Sequence, residues 1–136
     1  DMTIGVHMCR GNFKGGWMAD GGYEPIAEAA FGGMDADVFL LEYDTPRAGD
    51  FEPLRHVSKG KIAALGLVST KTPALEDEDA LKRRIDAAAK HLPLDQLALA
   101  PQCGFSSMSG GGQALTQDDT KRKLELIMRV AEAVWG

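Results

Sequence analysis

The sequence predicts an α/β protein whose parallel sheet is covered by helices. Short apolar runs alternate with helical patterns along the whole chain. Those runs are apolar over most of their length, as strands buried on both faces must be, and the helical stretches between them carry their own start and stop signals. Four such units suit half of an eight-stranded barrel or a small open α/β sheet.

Met2–Val6 is the first apolar run and ends at His7-Met8-Cys9. A Gly-rich loop, Gly11 to Gly22, holds Phe13 and Trp17; with Tyr23 these aromatics suit a lid over a site or, equally, local packing of the loop. Pro25 fits the first turn of a helix over Glu24–Phe31, because its missing N–H has no partner there anyway, and Gly32-Gly33 stops that helix. Asp37–Glu42 is the second strand and Lys61–Ser69 the third, with a weak segment around Phe51–Val57 between them. Glu76-Asp77-Glu78-Asp79 opens a helix that runs on to His91, acids first and bases later, which complements the helix dipole. Leu81, Ile85 and Ala87 to Ala89 give it a buried face, and Pro93 ends it. Leu94–Ala100 is the fourth strand, followed by Pro101-Gln102-Cys103-Gly104. Thr116, with Asp119 three residues on, forms a capping box for a last helix from Gln117 to Trp135.

Composition narrows the function classes. The 136 residues carry 15 Lys+Arg against 20 Asp+Glu, a net charge of −5, with 44% hydrophobic and 26% charged residues. That balance is globular and sized for one domain. The acidic pI of about 5.1, without a basic stripe, argues against nucleic acid as a partner, since phosphate binding needs clustered Lys and Arg. No apolar run approaches the roughly 20 residues of a membrane helix. Two cysteines do not make a secreted disulfide framework, so a reducing, cytoplasmic interior is expected. The opening Asp1-Met2-Thr3-Ile4-Gly5-Val6 lacks an initiator methionine and a leader and reads as starting inside a strand, which predicts a fragment. Gly110-Gly111-Gly112 lacks the Lys-Ser/Thr of a phosphate loop, and no GxGxxG opens a helix, so no nucleotide site is expected.

Four residues fall at the C-terminal ends of the expected strands: His7 and Cys9 after the first, Glu42 ending the second, Cys103 past the fourth. Positions i and i+2 of a strand share a face, so His7 and Cys9 reach one point. One imidazole, two thiolates and a carboxylate suit a tetrahedral Zn²⁺ shell, and sulfur ligands favour zinc over magnesium or calcium. The competing reading is ordinary: a free buried cysteine is a small hydrophobe, and strand-end His or Glu is commonly solvated.

The runs His7-Met8-Cys9, Asp35-Ala36-Asp37-Val38 leading into Leu41-Glu42, and Pro101-Gln102-Cys103-Gly104, in that order, resemble the C-terminal catalytic barrel of cobalamin-independent methionine synthase. Arg10-Gly11-Asn12-Phe13, Leu41-Glu42-Tyr43-Asp44 and Ala100-Pro101-Gln102-Cys103-Gly104-Phe105 are similar to the shorter, single-barrel members. The resemblance covers essentially the whole chain and implies the C-terminal half of a TIM (β/α)8 barrel, residues 1–136 forming a single partial domain without its N-terminal half. It assigns His7, Cys9, Glu42 and Cys103 to zinc, with no catalytic residue beyond that shell. It implies homocysteine as acceptor, a methylated folate as donor and methionine as product. Thiol chemistry at such a centre makes Glu42 the ligand expected to give way as the substrate sulfur enters. Related barrels use a corrinoid methyl donor or an epoxide with coenzyme M, and an inactive fragment is the remaining alternative. Two departures stand out. Lys71 lies near the larger synthases' proton-donor histidine, with a solvated loop lysine as the plainer reading, and Arg10 stands where those enzymes have an aromatic residue. His56 and His91 read as surface or capping residues, Met8 and Met128 as core methionines, and Glu76–Asp79 as a helix N-terminus.

Overall fold

The structure, a computed structural model, describes residues 2–13, 16–19, 21–106 and 115–136, with the backbone alone described at 12–13 and 16–17. The side chains of Phe13 and Trp17 and the run Gly110-Gly111-Gly112 lie outside the described residues.

Four strands, β1 (Gly5–Met8), β4 (Val38–Glu42), β5 (Ile62–Val68) and β6 (Leu97–Pro101), form one sheet in the order β1-β4-β5-β6, every pair parallel. A two-residue hairpin, β2 (Asn12–Phe13) with β3 (Gly16–Trp17), lies in the loop after β1. The first helix, α1 (Glu24–Ala27), has Pro25 in its first turn and continues as a π-helix over Glu28–Gly32. α2 spans Glu78–Ala88 and α3 spans Gln117–Trp135, the latter with the expected Thr116–Asp119 capping box.

Several boundaries differ from expectation for local reasons. β1 starts at Gly5 instead of Met2, because the Ile4 N–H goes to the Asp37 carboxylate at 2.7 Å and the Ile4 carbonyl accepts from the Asp37 and Val38 N–H groups. The segment around Phe51–Val57 is a 3-10 turn, Glu52–His56, that buries Leu54 completely. Leu94–Gln96 is another 3-10 turn, so β6 begins only at Leu97; the Gln96 amide ties that turn to the Ser58 and Lys61 carbonyls. α2 is capped by Asp77, whose carboxylate accepts the Ala80 N–H at 2.8 Å, and stops at Ala88, short of His91. Glu76 therefore stays outside the helix.

Register divides the sheet into two unlike faces. Phe39, Leu41, Ala63, Leu65, Leu67 and Leu97 point to the helix side and are buried in the main core. The other face carries His7 opposite Leu40, Leu40 opposite Ala64, Ala64 opposite Ala98, then Glu42 opposite Gly66 and Gly66 opposite Ala100. Large apolar groups pack the outer layer, while mainly small ones leave room on the inner face. Gly66 is required there: a Cβ would sit 2.4 Å from the Leu41 carbonyl oxygen and 2.9 Å from the Gln102 Cα, at a register shift between β5 and β6.

Candidate functional site

The inner face ends in the four residues singled out from the sequence. His7 lies within β1, Cys9 just past it, Glu42 at the last position of β4, and Cys103 two residues beyond β6. One potential ligand atom from each falls within 4.8 Å of every other. Because paired positions of parallel strands face the same way, this convergence follows from register rather than from loop folding for three of the four. A cavity of about 280 Å³ lined by His7, Leu40, Ala100, Pro101, Cys103 and Gly104 opens beside them.

Glu42 is fully buried. Its Oε2 accepts the Arg10 N–H at 3.3 Å and an Arg47 Nη2–H at 3.2 Å. Its Oε1 has no hydrogen-bond partner and lies 4.0 Å from His7 Nε2. A buried carboxylate oxygen without a partner is costly unless something electropositive completes it. The Cys9 Sγ accepts the Gly11 N–H at 3.2 Å. Partial desolvation, with Glu42 and Cys103 adding to it, pushes the Cys9 thiol up to about 11 against the help of that N–H. The donor set of two sulfurs, an imidazole and a carboxylate could hold a thiophilic divalent ion of the zinc type, and the unpartnered Oε1 fits that role.

The turn after β1 holds Cys9 in place. Gly11 has φ +85°, and a Cβ there would meet the Met18 Cβ at 2.7 Å, so no other residue fits. Arg10 is a brace: its guanidinium donates to the Gly21 carbonyl (2.8 Å), the Tyr23 hydroxyl (3.0 Å) and the Glu42 carbonyl (3.0 Å), and stacks 4.1 Å above the Tyr23 ring. Tyr23 is not a lid residue. It is 4% exposed, and its hydroxyl accepts the Glu42 N–H at 2.7 Å and donates to the Met8 carbonyl at 3.2 Å, stitching the ends of β1 and β4 together.

Two more expectations are corrected. Lys71 is not a solvated loop lysine; it is 7% exposed, and its Nζ has no hydrogen-bond partner. Met128 lies outside the core at 72% exposure, whereas Met8 packs against the core. His91 is exposed and His56 half-buried, and neither joins a ligand cluster among the described residues. Asp77, Glu78 and Asp79 behave as the helix start that was expected.

Sequence reasoning missed Arg47 and Lys123. Arg47 follows Glu42 through a Pro46 turn and carries no spacing signal. Lys123 did carry one, since Leu126 and Val130 at i+3 and i+7 place it on the buried stripe of α3. Fully buried, it donates to the Ala74 carbonyl at 2.7 Å and pairs with Glu76 at 3.1 Å, while Glu76 Oε1 accepts the Ser69 N–H at 2.8 Å.

Residues 1–133 match the family model described as the catalytic domain of cobalamin-independent synthase. YxjG of Bacillus subtilis strain 168, named as an uncharacterized protein, is 46% identical over 136 residues, covering 99% of this chain and 36% of its own. The 5-methyltetrahydropteroyltriglutamate–homocysteine methyltransferase of Bacillus licheniformis is 28% identical over 104 residues, 76% of this chain and 12% of its own. Among solved structures, a candidate vitamin-B12-independent methionine synthase from Listeria monocytogenes matches with a TM-score of 0.70 and 34% identity, over 100% of this chain and 36% of that one. The four parallel strands correspond to part of that catalytic barrel, and the chain spans about a third of the length of the YxjG protein. Among the described residues, no helix is long and apolar enough to cross a membrane.

Proposed function

The chain belongs to the cobalamin-independent synthase catalytic-domain family, and from that premise we propose that it carries the metal centre of a zinc-dependent methyltransferase. The transfer runs from a methylated folate to the sulfur of homocysteine and yields methionine. Residues 1–136 supply four strand–helix units of a larger barrel, and the free thiols suit a reducing cytoplasmic setting. One observation carries the reading: a buried carboxylate oxygen without a partner faces an imidazole and two cysteines whose ligand atoms gather within 4.8 Å.

His7, Cys9, Glu42 and Cys103 would hold the ion. Bound zinc supplies Lewis acidity, which lets a thiol near pKa 8.5 react as its thiolate at neutral pH. The chain's own residues do the rest. Arg47 and the Arg10 N–H hold the Glu42 carboxylate in place at the inner face. Tyr23 and Arg10 fix the ends of β1 and β4 against each other, so the donors need little rearrangement. The adjoining cavity, walled by Leu40, Ala100 and Pro101, gives the substrate's carbon chain an apolar seat next to the reacting sulfur.

The test uses the complete natural polypeptide. Metal analysis should give one zinc per chain, and the loaded protein should methylate homocysteine from a methylated folate. Cys103→Ser should lower both together. Full zinc content with transfer only from a corrinoid donor, or only from an epoxide to coenzyme M, would overturn the choice of substrates; absence of zinc from the purified protein would overturn the centre itself.

A further inference from the structure

The two residues that hold the Glu42 carboxylate also hold the loop after β1. Glu42 Oε2 accepts the Arg10 N–H at 3.3 Å and an Arg47 Nη2–H at 3.2 Å. The Arg10 carbonyl in turn accepts the Ala19 N–H at 3.1 Å, and its Nε donates to the Gly21 carbonyl at 2.8 Å. Arg47 mirrors this arrangement. Its carbonyl accepts the Gly21 N–H at 3.1 Å, and its Nη1 donates to the Ala19 carbonyl at 2.6 Å. The hairpin of β2 and β3 lies between Arg10 and Ala19, so these bonds pinch its base together next to Cys9. Backbone packing reinforces the tie, since a Cβ on Gly49 would come 3.2 Å from the Gly22 Cα.

Arg47 is the joint between the carboxylate and that base. One guanidinium serves both, with Nη2 on Glu42 and Nη1 on Ala19, and a planar fork cannot re-aim one arm without moving the other. It also has a second seat, because Asp44 Oδ1, on a fully buried side chain, lies 3.9 Å from the same Nη2. Buried charges attract strongly, so the guanidinium leans toward Asp44 whenever Glu42 Oε2 draws back or shares its charge elsewhere. That lean carries Nη1 off the Ala19 carbonyl.

We propose that Arg47 is a positioning residue that couples the state of Glu42 to the base of the β2–β3 hairpin. With Glu42 resting wholly on Arg47 the base is clamped; with Glu42 drawn to a metal, Ala19 is released. The inference rests on reading His7, Cys9, Glu42 and Cys103 as the metal centre. A thiol that displaces Glu42 from that centre therefore tightens the hairpin base. A clamp that closes behind a bound substrate commits it to reaction.

The test reads amide hydrogen exchange at Ala19 and Gly21 in the complete natural polypeptide, by rapid-quench labelling. In the metal-free protein, Glu42→Gln replaces the carboxylate by a neutral amide of the same shape. It should speed both amides about tenfold, the difference between a charged and a neutral hydrogen bond, although Glu42 bonds neither residue. Arg47→Met should speed them at least as much, and the double variant should be no faster than Arg47→Met alone. Arg47→Lys, whose compact ammonium cannot serve Glu42 and Ala19 together, should behave like Arg47→Met. It supplies the reading if Arg47→Met fails to fold by circular dichroism. Leu65 in β5 should not change. In the zinc-loaded wild type, homocysteine should slow Ala19 and Gly21 by about tenfold, and in the Arg47 variant it should not. Unchanged exchange in metal-free Glu42→Gln, effects that multiply in the double variant, or an equal acceleration at Leu65 overturns the coupling. So does replacement of oxygen by sulfur in the zinc X-ray absorption without slowing of the two amides. The Glu42→Gln effect in a protein that binds no zinc supports the coupling and counts against the metal centre alone.

Discussion

Glu42 holds two different roles on its two oxygens, and the residue-scale predictions follow from that division. Oε2 rests on Arg47 and the Arg10 N–H, whereas Oε1 is free to complete a metal shell. A carboxylate with a resting place is the donor best able to exchange when a substrate sulfur arrives, because releasing it leaves no bare buried charge. X-ray absorption of the zinc-loaded protein should show one oxygen replaced by sulfur on adding homocysteine; an unchanged coordination shell would exclude exchange. Cys9 gives a pH dependence. Its thiol stands at about 11, above the ordinary 9.0, so zinc must displace a proton that the protein holds tightly. Apparent zinc affinity should therefore fall about tenfold for each pH unit lowered through the neutral range, per proton released. Competition titrations at pH 6.5, 7.5 and 8.5 (up to about four decades in all for two thiols) read the slope, and Cys9→Ser should lower it by about one proton. His7 and Cys9 were legible together because the strand's period of two fixes their common face. Glu42 and Cys103 were legible only as strand ends plus a resemblance. Arg47 was invisible, since nothing in a Pro-Arg-Ala turn says which carboxylate the guanidinium will meet.

At the scale of single elements, the sheet's inner face depends on one position having no side chain. Gly66→Ala would drive a methyl into the Leu41 carbonyl and the Gln102 Cα, neither of which is a flexible side-chain end. Such overpacking against backbone should cost about 3 kcal/mol in urea unfolding, and should also loosen zinc, because Glu42 pairs with Gly66 and Cys103 follows Gln102. Retained zinc affinity in a destabilised Gly66→Ala protein would show that the two are uncoupled. α3 offers a test with a defined sign. Its capping bonds to Thr116, side chain first, hold the Asp119 carboxyl below its usual range. A carboxyl depressed in the folded state contributes stability above its unfolded pKa, near 3.9, and loses it as pH falls through the folded value. Thr116→Ala should cost about 1 kcal/mol near neutral pH and reduce the acid dependence below pH 4, as followed by thermal melts from pH 2 to 7. Helices with side-chain caps were readable because their signals are local, Thr116 and Asp77 each lying three residues from a bonded N–H. The 3-10 turns over Glu52–His56 and Leu94–Gln96 were not. Prolines and scattered apolar residues are compatible with a weak strand until tertiary contacts, such as Gln96 reaching the Ser58 carbonyl, decide otherwise.

Across the whole molecule, the parallel order was legible because continuous apolar strands separated by helices admit few other topologies. Which strands would be held least firmly was not, since that depends on neighbours. β4 and β5 are paired on both sides, while β1 and β6 have one partner strand each among the described residues, and β1 is exposed at Gly5 and His7. In a polypeptide of residues 1–136 alone, hydrogen exchange should therefore find β4 and β5 opening only with global unfolding, and β1 opening locally at lower cost. Zinc turns this difference into a test of the site. If His7 and Cys9 are ligands, β1 cannot fray without releasing the ion, so its local opening must be suppressed by the same factor as global unfolding. At zinc 100-fold above its Kd that factor is about 100. If the ion is held elsewhere, β5 gains protection while β1, fraying with the ion still bound, gains none. The last turn of α3 near Trp135 carries none of the four proposed ligands and serves as the internal control. Amide exchange at Val6, His7 and Met8, compared with Leu65 and with Val134 with and without zinc, should show parallel slowing in β1 and β5 and no change at the helix end. Slowing at Leu65 alone would remove β1 from the metal centre.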